Sequence, residues 1–222
     1  MINWLHSLVH DPRRGWDPIP FAYARDYANC QVADPEVVKQ FAAQLDGFVG
    51  KEIVDLGSGP GHYALEFLRR GAHVTCIDVS QVYLELARNR IEEAGFQAQY
   101  VAGYMDWIDR LLGREVDAIF TNVSWRYCFN DFSFARRLLA ALRAQGILFV
   151  RESNEGATVD GGGHPPLIYW LNRNVGLKLG HPRPPLGRIE EALRNAGGTI
   201  IAALCTDGVV ETVIATKPQA EV

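Results

Sequence analysis

Residues 51–79 read KEIVDLGSGPGHYALEFLRRGAHVTCIDV. An apolar pair, Ile53 and Val54, runs into the turn Gly57-Ser58-Gly59-Pro60-Gly61. A helical pattern follows, with Ala64, Phe67 and Leu68 on one face and Gly71 placed to stop it. A second apolar run, residues 74–77, ends at Asp78. That acid comes roughly twenty residues after the first glycine, where a nucleotide-binding βαβ unit puts the carboxylate that accepts bonds from ribose hydroxyls. The stretch therefore reads as strand, glycine-rich turn, helix and acid-tipped strand, and it points to an adenosine-containing cofactor.

The turn narrows the choice of cofactor. A dinucleotide site spaces its glycines as GxGxxG so that a pyrophosphate can rest on the helix N-terminus. Here the spacing is GxGxG, and Asp55 stands two residues before the first glycine. A carboxylate there repels a pyrophosphate and suits a ligand carrying an ammonium group. This disfavours a nicotinamide-dependent oxidoreductase. The string VDLGSGPG followed by CIDVS resembles the first two motifs of class I S-adenosylmethionine-dependent methyltransferases. As an order of elements the resemblance runs from about residue 51 to about residue 217, with its specific residues in the first half. It implies S-adenosylmethionine as cofactor and methyl transfer as activity.

The rest of the chain alternates helical and strand patterns. Ser80 can cap a helix running to about Gly95. Residues 97–102 read as a strand, 105–113 as a short helix and 116–123 as a strongly apolar strand. Asp131 opens another helix, 146–153 form a fifth strand, and 189–196 a final helix. Two last strands, 199–205 and 209–216, meet at Thr206-Asp207-Gly208, a hairpin signal. The expected fold is α/β: a doubly wound, Rossmann-like, mostly parallel seven-stranded sheet with a C-terminal antiparallel hairpin. One domain over residues 1–222 is expected, with 1–47 as an N-terminal helical lid and the Gly- and Pro-rich segment 154–188 as a substrate-side insertion.

Composition excludes several classes. With 48% hydrophobic residues in 222, the chain can bury a substantial core. It has no run of ~20 apolar residues long enough to span a bilayer. Residues 1–16 lack the basic start, apolar core and cleavage site of a secretory signal. Cys30, Cys76, Cys128 and Cys205 form no CxxC pair and read as separate thiols of a reducing compartment, which points to the cytoplasm. A net charge of −4 gives no broad cationic surface for nucleic acid. The expected partner is a small-molecule acceptor; a homodimer stays open, as does docking of the Trp4, Leu5, Leu8 and Val9 face on the domain, a second subunit or a membrane.

In open α/β sheets the ligand lies at the carboxyl ends of the strands. The resemblance then implies cofactor contacts in chain order. Asp55, Gly57, Ser58 and Gly59 face the methionine part, Asp78 takes the ribose, and Val79 touches the adenine. Tyr104, Met105 and Asp106 flank the adenine, and Asn122 lies beneath the methyl group. Tyr104 stands where the family often has an acid. Tyr23 and Tyr27 share a helix face four residues apart. Tyr27 is assigned to the cofactor, and Tyr23 to the acceptor together with Trp125, Arg126, Tyr127 and Tyr169. No Pro-Pro-aromatic motif follows Asn122, so the chain does not resemble enzymes that modify bases or glutamine.

Methyl transfer from a sulfonium needs positioning more than acid–base chemistry. A base matters where the acceptor must lose a proton. Glu152, ending the fifth strand, and His164, in the insertion, are the catalytic candidates; Asp160 and His181 lie in the same region, and His62 follows the glycine turn. No HExxH string occurs, and His6 and His10, an HxxxH pair, look peripheral, so no metal is expected. The expected function is methyl transfer to an oxygen or nitrogen of a small polar or aromatic acceptor, such as a sugar, phenol or amine. The alternative is a catalytically silent cofactor-binding subunit with a regulatory or scaffold role.

Overall fold

A computed structural model describes residues 21–154 and 183–219. The described helices are α1 (Phe21–Cys30), α2 (Pro35–Ala43), α3 (His62–Arg69), α4 (Gln81–Glu93), α5 (Ile108–Leu112), α6 (Asp131–Ala141) and α7 (Arg188–Asn195). The strands are β1 (Glu52–Leu56), β2 (His73–Asp78), β3 (Gln99–Ala102), β4 (Val116–Asn122), β5 (Leu142–Ser153), β6 (Thr199–Thr206) and β7 (Val210–Thr216). They form one seven-stranded sheet in the order β3-β2-β1-β4-β5-β7-β6. The pairs from β3 to β5 are parallel, and β7 runs antiparallel to both β5 and β6. This is the expected sheet, with the hairpin folded so that β7 enters between β5 and β6.

Local chemistry sets the element ends. The Ser80 hydroxyl accepts from the Tyr83 amide and starts α4, as its position predicts. Asn130 does the same for α6, accepting from the amides of Phe132 and Ser133. The hairpin turn holds Asp207 and Gly208 at φ 52° and 71°, the left-handed pair that matches the twist of the flanking strands. One boundary departs from expectation. β5 begins at Leu142 instead of 146, directly after α6. Along β5 the pairing jumps from Leu142 to Ile147 while β4 advances from Val116 to Ala118, and Gln145 at φ 63° takes up the irregularity.

Strand alternation divides the core into two layers. Val54, Ile119, Leu148 and Val150 face α6 and α7 on one side, with Phe134, Leu138 and Leu193. Ile53, Phe120 and Phe149 face α2 and α3 on the other. Phe41 of α2 is the hub of this second layer. Its ring lies 5.2 Å from those of Phe67 and Phe120 and 5.4 Å from those of Phe48 and Phe149. It thereby docks the N-terminal helices on the sheet. Phe41→Ala is expected to lower unfolding stability by about 3–5 kcal/mol in a denaturant titration, the cost of a fully buried aromatic removed from a tight cluster.

Candidate functional site

The sheet changes winding direction between β1 and β4, which opens a crevice at the carboxyl ends of these strands. The loop from Gly57 to Gly61 enters it. The amides of Gly57 and Ser58 donate to the Ile77 carbonyl at 2.8 and 3.2 Å. The Asp78 carboxylate accepts from the Gly59 amide at 2.8 Å with one oxygen and from the Ser80 amide at 2.8 Å with the other. The Asp78 carbonyl accepts from Gly103 after β3. One residue thus ties the loop, the start of α4 and the end of β3 together. Gly57 has φ +71°, and a Cβ there would lie 2.3 Å from the Ser124 hydroxyl, so no side chain fits. That contact brings the loop against the segment following β4.

Asp55 sits beneath the loop, 3% exposed, and accepts from the Ala64 amide in the first turn of α3 at 3.1 Å. Burial pushes its carboxyl up to about 7, opposed by the Ala64 amide and reinforced by the charge of Asp78. His62, at the start of α3, faces α1 instead of the crevice. Its Nε2 donates to the Ala28 carbonyl at 2.9 Å while its Nδ1 accepts from Arg90 at 2.7 Å; Arg90 also donates to Ala28. Burial, then Arg90, lowers the His62 value, in keeping with the neutral ring that these bonds require. The pair latches the C-terminal end of α1 to the domain. Along α1 the Tyr23 and Tyr27 rings stack at 6.4 Å, and Tyr27 meets Tyr83 of α4 at 5.9 Å. Burial raises the Tyr27 phenol, with Tyr127 and Tyr23 adding and Arg126 opposing, so these groups lie within electrostatic reach of one another.

The chain beyond β4 turns sharply. Asn122 accepts from Arg151 at 3.2 Å through its side-chain oxygen. Val123 follows at φ 57°, a left-handed conformation that a β-branched residue adopts only at a cost. Trp125 is fully buried, donates to Asp131 at 2.7 Å and packs on Phe134. It is therefore a core residue and not a lining of an acceptor pocket, because its indole N–H needs the buried Asp131 partner. Arg126 and Tyr127 do reach the surface. Arg126 donates to Glu152 at 2.7 Å, and Glu152, wholly buried, also accepts from the backbone amides of Arg126 and Ser153. Asp106 accepts from the Phe129 amide at 3.0 Å, joining the segment after β3 to the one after β4.

Comparison with known proteins agrees with this geometry. Residues 53–146 match the family described as "Methyltransferase domain". Over these residues the chain matches a methyltransferase domain, and its motifs are similar to those of the class I S-adenosylmethionine-dependent family. It is 32% identical over 85 residues to a ubiquinone biosynthesis O-methyltransferase of Pasteurella multocida, covering 38% of this chain and 33% of that protein. It is 35% identical over 114 residues to a trans-aconitate 2-methyltransferase of Paracidovorax citrulli, covering 50% and 42%. The chain therefore spans less than half the length of these two relatives. An S-adenosylmethionine-dependent methyltransferase structure from Aquifex aeolicus shares the fold, with a TM-score of 0.63 at 15% identity over 90% of this chain and 99% of that one.

The family cofactor is S-adenosylmethionine, and the residues present fit it. A Cβ on Gly59, at φ +50°, would meet nothing within 4 Å, so the loop presents bare backbone to open space. The Tyr104 hydroxyl at the end of β3 is buried without a hydrogen-bond partner, an orphan that a ligand polar atom can satisfy. Asp78 and Val79 are half-buried at the crevice, as is Met105. The fold brings Asp55, Gly57, Ser58, Gly59, Asp78 and Asn122 together around this one crevice. Sequence reasoning missed Tyr83, Ser124 and the His62–Arg90 latch. Helical spacing from Ser80 marks only Tyr83's face, and nothing in sequence pairs distant residues. His164, Tyr169, Asp160 and His181 lie outside the described residues, as do residues 1–20 and most of 154–188. Among the described residues no helix is long and apolar enough to cross a membrane.

The buried acid at Asp55 makes stability depend on pH. The folded protein holds a proton that the unfolded chain releases at about 3.9, so this contribution is complete at acid pH and is lost as pH rises through about 7. Asp55→Asn keeps an oxygen for the Ala64 amide and removes the charge. Its melting temperature, relative to the native protein, is expected to rise between pH 5.5 and pH 8. In unfolding free energy the difference should amount to about 2 kcal/mol, since ~1.5 pH units separate pH 5.5 from the Asp55 value and each is worth ~1.4 kcal/mol. A pH-independent difference would refute the buried-acid assignment.

Proposed function

We propose that the protein is an enzyme that transfers a methyl group from S-adenosylmethionine to an oxygen or nitrogen of a small polar or aromatic acceptor. The observation that carries this is the Asp78 carboxylate, braced by the Gly59 and Ser80 amides at the mouth of the crevice. Asp78 would hold the ribose hydroxyls, Gly57, Ser58 and Gly59 the methionine side, and Val79, Tyr104, Met105 and Asp106 the adenine. When bound, the cofactor supplies an electrophilic methyl group on a sulfonium. Asn122 and Tyr27 border that end, Asn122 with its side-chain oxygen held by Arg151. Acceptor atoms brought to about 3 Å of the methyl carbon gain most of the rate from positioning alone.

The relatives' names favour oxygen as the acceptor atom, because one is an O-methyltransferase of ubiquinone biosynthesis. Glu152 serves this reading better as an anchor than as a base. Both its oxygens accept from protein N–H groups and none of its surface reaches solvent. Where the acceptor must lose a proton, His164 remains the candidate base from the insertion. A cytoplasmic location is part of the same proposal, in line with Cys30, Cys76, Cys128 and Cys205 all being free thiols.

Isothermal calorimetry with S-adenosylhomocysteine tests the cofactor site. Asp78→Asn retains one oxygen and the side-chain shape, yet loses the charge that strengthens hydroxyl bonds. Its affinity is expected to fall about 10- to 100-fold, with the melting temperature lowered as well, because an Asn side chain accepts from only one of the two backbone amides. Unchanged affinity would place the ribose elsewhere. Binding without methyl transfer from labelled cofactor to any small-molecule pool would favour the silent subunit.

A further inference from the structure

Resting on that reading of the crevice, we propose that the acceptor is a small aromatic acid, with its carboxylate on Arg126 and its ring against Tyr127 and the tyrosines of α1. Three independent features lead there.

The first is how Arg126 is held. Glu152 meets it with one oxygen on the guanidinium and the other on its backbone amide, and the Ser153 amide braces the same carboxylate. Glu152 is fully buried and the Arg126 side chain is 14% exposed. Taking two charges out of water costs several kcal/mol per ion, so such a pair is a poor device for stability alone. It fixes a guanidinium in one orientation immediately after β4, beside the crevice. The second is the donor left over. Arg126 Nε is buried and has no hydrogen-bond partner. A guanidinium is a planar fork with five N–H donors, matched to a carboxylate, and this one is only partly used.

The third is the aromatic setting. Tyr23, Tyr27 and Tyr127 are 61%, 41% and 47% exposed, large apolar faces left on the surface of one region. Tyr27 rests on Tyr83 and on Tyr23, which holds the rings in place. Rings at this spacing accept a further ring by offset or edge contact. Among the described residues, Asp78 is engaged on backbone amides of the loop and α4, and Glu152 on Arg126. A cationic amine would meet a guanidinium in this region. An aromatic acid meets ring faces and a guanidinium.

The test separates this inference from the cofactor assignment. S-adenosylhomocysteine is first shown to bind; its failure to do so would defeat the cofactor reading itself. Benzoate, 4-hydroxybenzoate and 3,4-dihydroxybenzoate are then titrated by calorimetry into the protein saturated with S-adenosylhomocysteine, alongside the corresponding neutral amides and phenethylamine. At least one acid is expected to bind about 10- to 100-fold more tightly than its amide. Arg126→Lys should erase most of that preference, because an ammonium lacks the fork, while S-adenosylhomocysteine affinity stays within about threefold. The double variant Arg126→Met, Glu152→Leu removes the cation without stranding a buried charge, and should behave alike. Three results would overturn the proposal: no acid binds, amides bind as well as acids, or both variants weaken S-adenosylhomocysteine as strongly as the acid. The last would put Arg126 on the cofactor's own carboxylate.

Discussion

The arrangement depends on one carboxylate accepting two backbone amides. Asp78 ends β2 at the crevice, and its oxygens take the N–H groups of Gly59 and Ser80. The first bond holds the glycine loop in its left-handed course; the second fixes the turn from which Ser80 caps α4. Charge-assisted bonds of this kind are about twice as strong as neutral ones. They are formed before any ligand arrives, so the site does not have to order its loop on binding. The same carboxylate raises the neighbouring Asp55, although burial is the larger cause. Two acids stacked at one loop are costly in isolation and become favourable when a cation is brought between or beside them.

The second organising feature is the path of the chain after β4. Val123 in a left-handed conformation turns the backbone so that Ser124 reaches back to the Gly57 carbonyl and Trp125 is driven into the core. Arg126 is then left partly at the surface and Trp125 is not, although they are adjacent in sequence. Strain of order 1–3 kcal/mol at one residue is sustained because buried Trp125, with its bond to Asp131, over-determines the turn. Helix α1 is attached by a different principle. His62 and Arg90 both bond the Ala28 carbonyl, one of those left unpaired at the end of α1. Tyr27 on Tyr83 supplies a further contact.

Much of this was legible in the chain. The acid–GxGxG–acid string set β1, α3 and β2 in order, because glycine, buried strand and terminal carboxylate are local requirements of one turn. Strand and helix periods gave the seven-stranded sheet, and Asp207 and Gly208 gave the hairpin through their tolerance of positive φ. Ser80 marked the start of α4 by side-chain capping, a contact spanning three residues, whereas α6 opens at the expected Asp131 but its cap is Asn130, one residue before. All of these depend on neighbours along the chain.

What the tertiary structure decided are contacts across long sequence separations. Whether Trp125 lines a pocket or fills the core rests on Asp131 and Phe134, and sequence offers the same aromatic for either. Glu152 reads as a base from its place at a strand end, yet β5 sets it against Arg126, where its charge is consumed. His62 reads as a site residue beside the glycine turn, yet Arg90 and Ala28, 28 and 34 residues away, claim both ring nitrogens. The sequence by itself determined the sheet, the glycine loop and its two acids, because these follow from local backbone geometry and periodicity. The tertiary structure alone decided which polar side chains are engaged inside the protein and which face the crevice, because desolvation and pairing depend on what packs opposite.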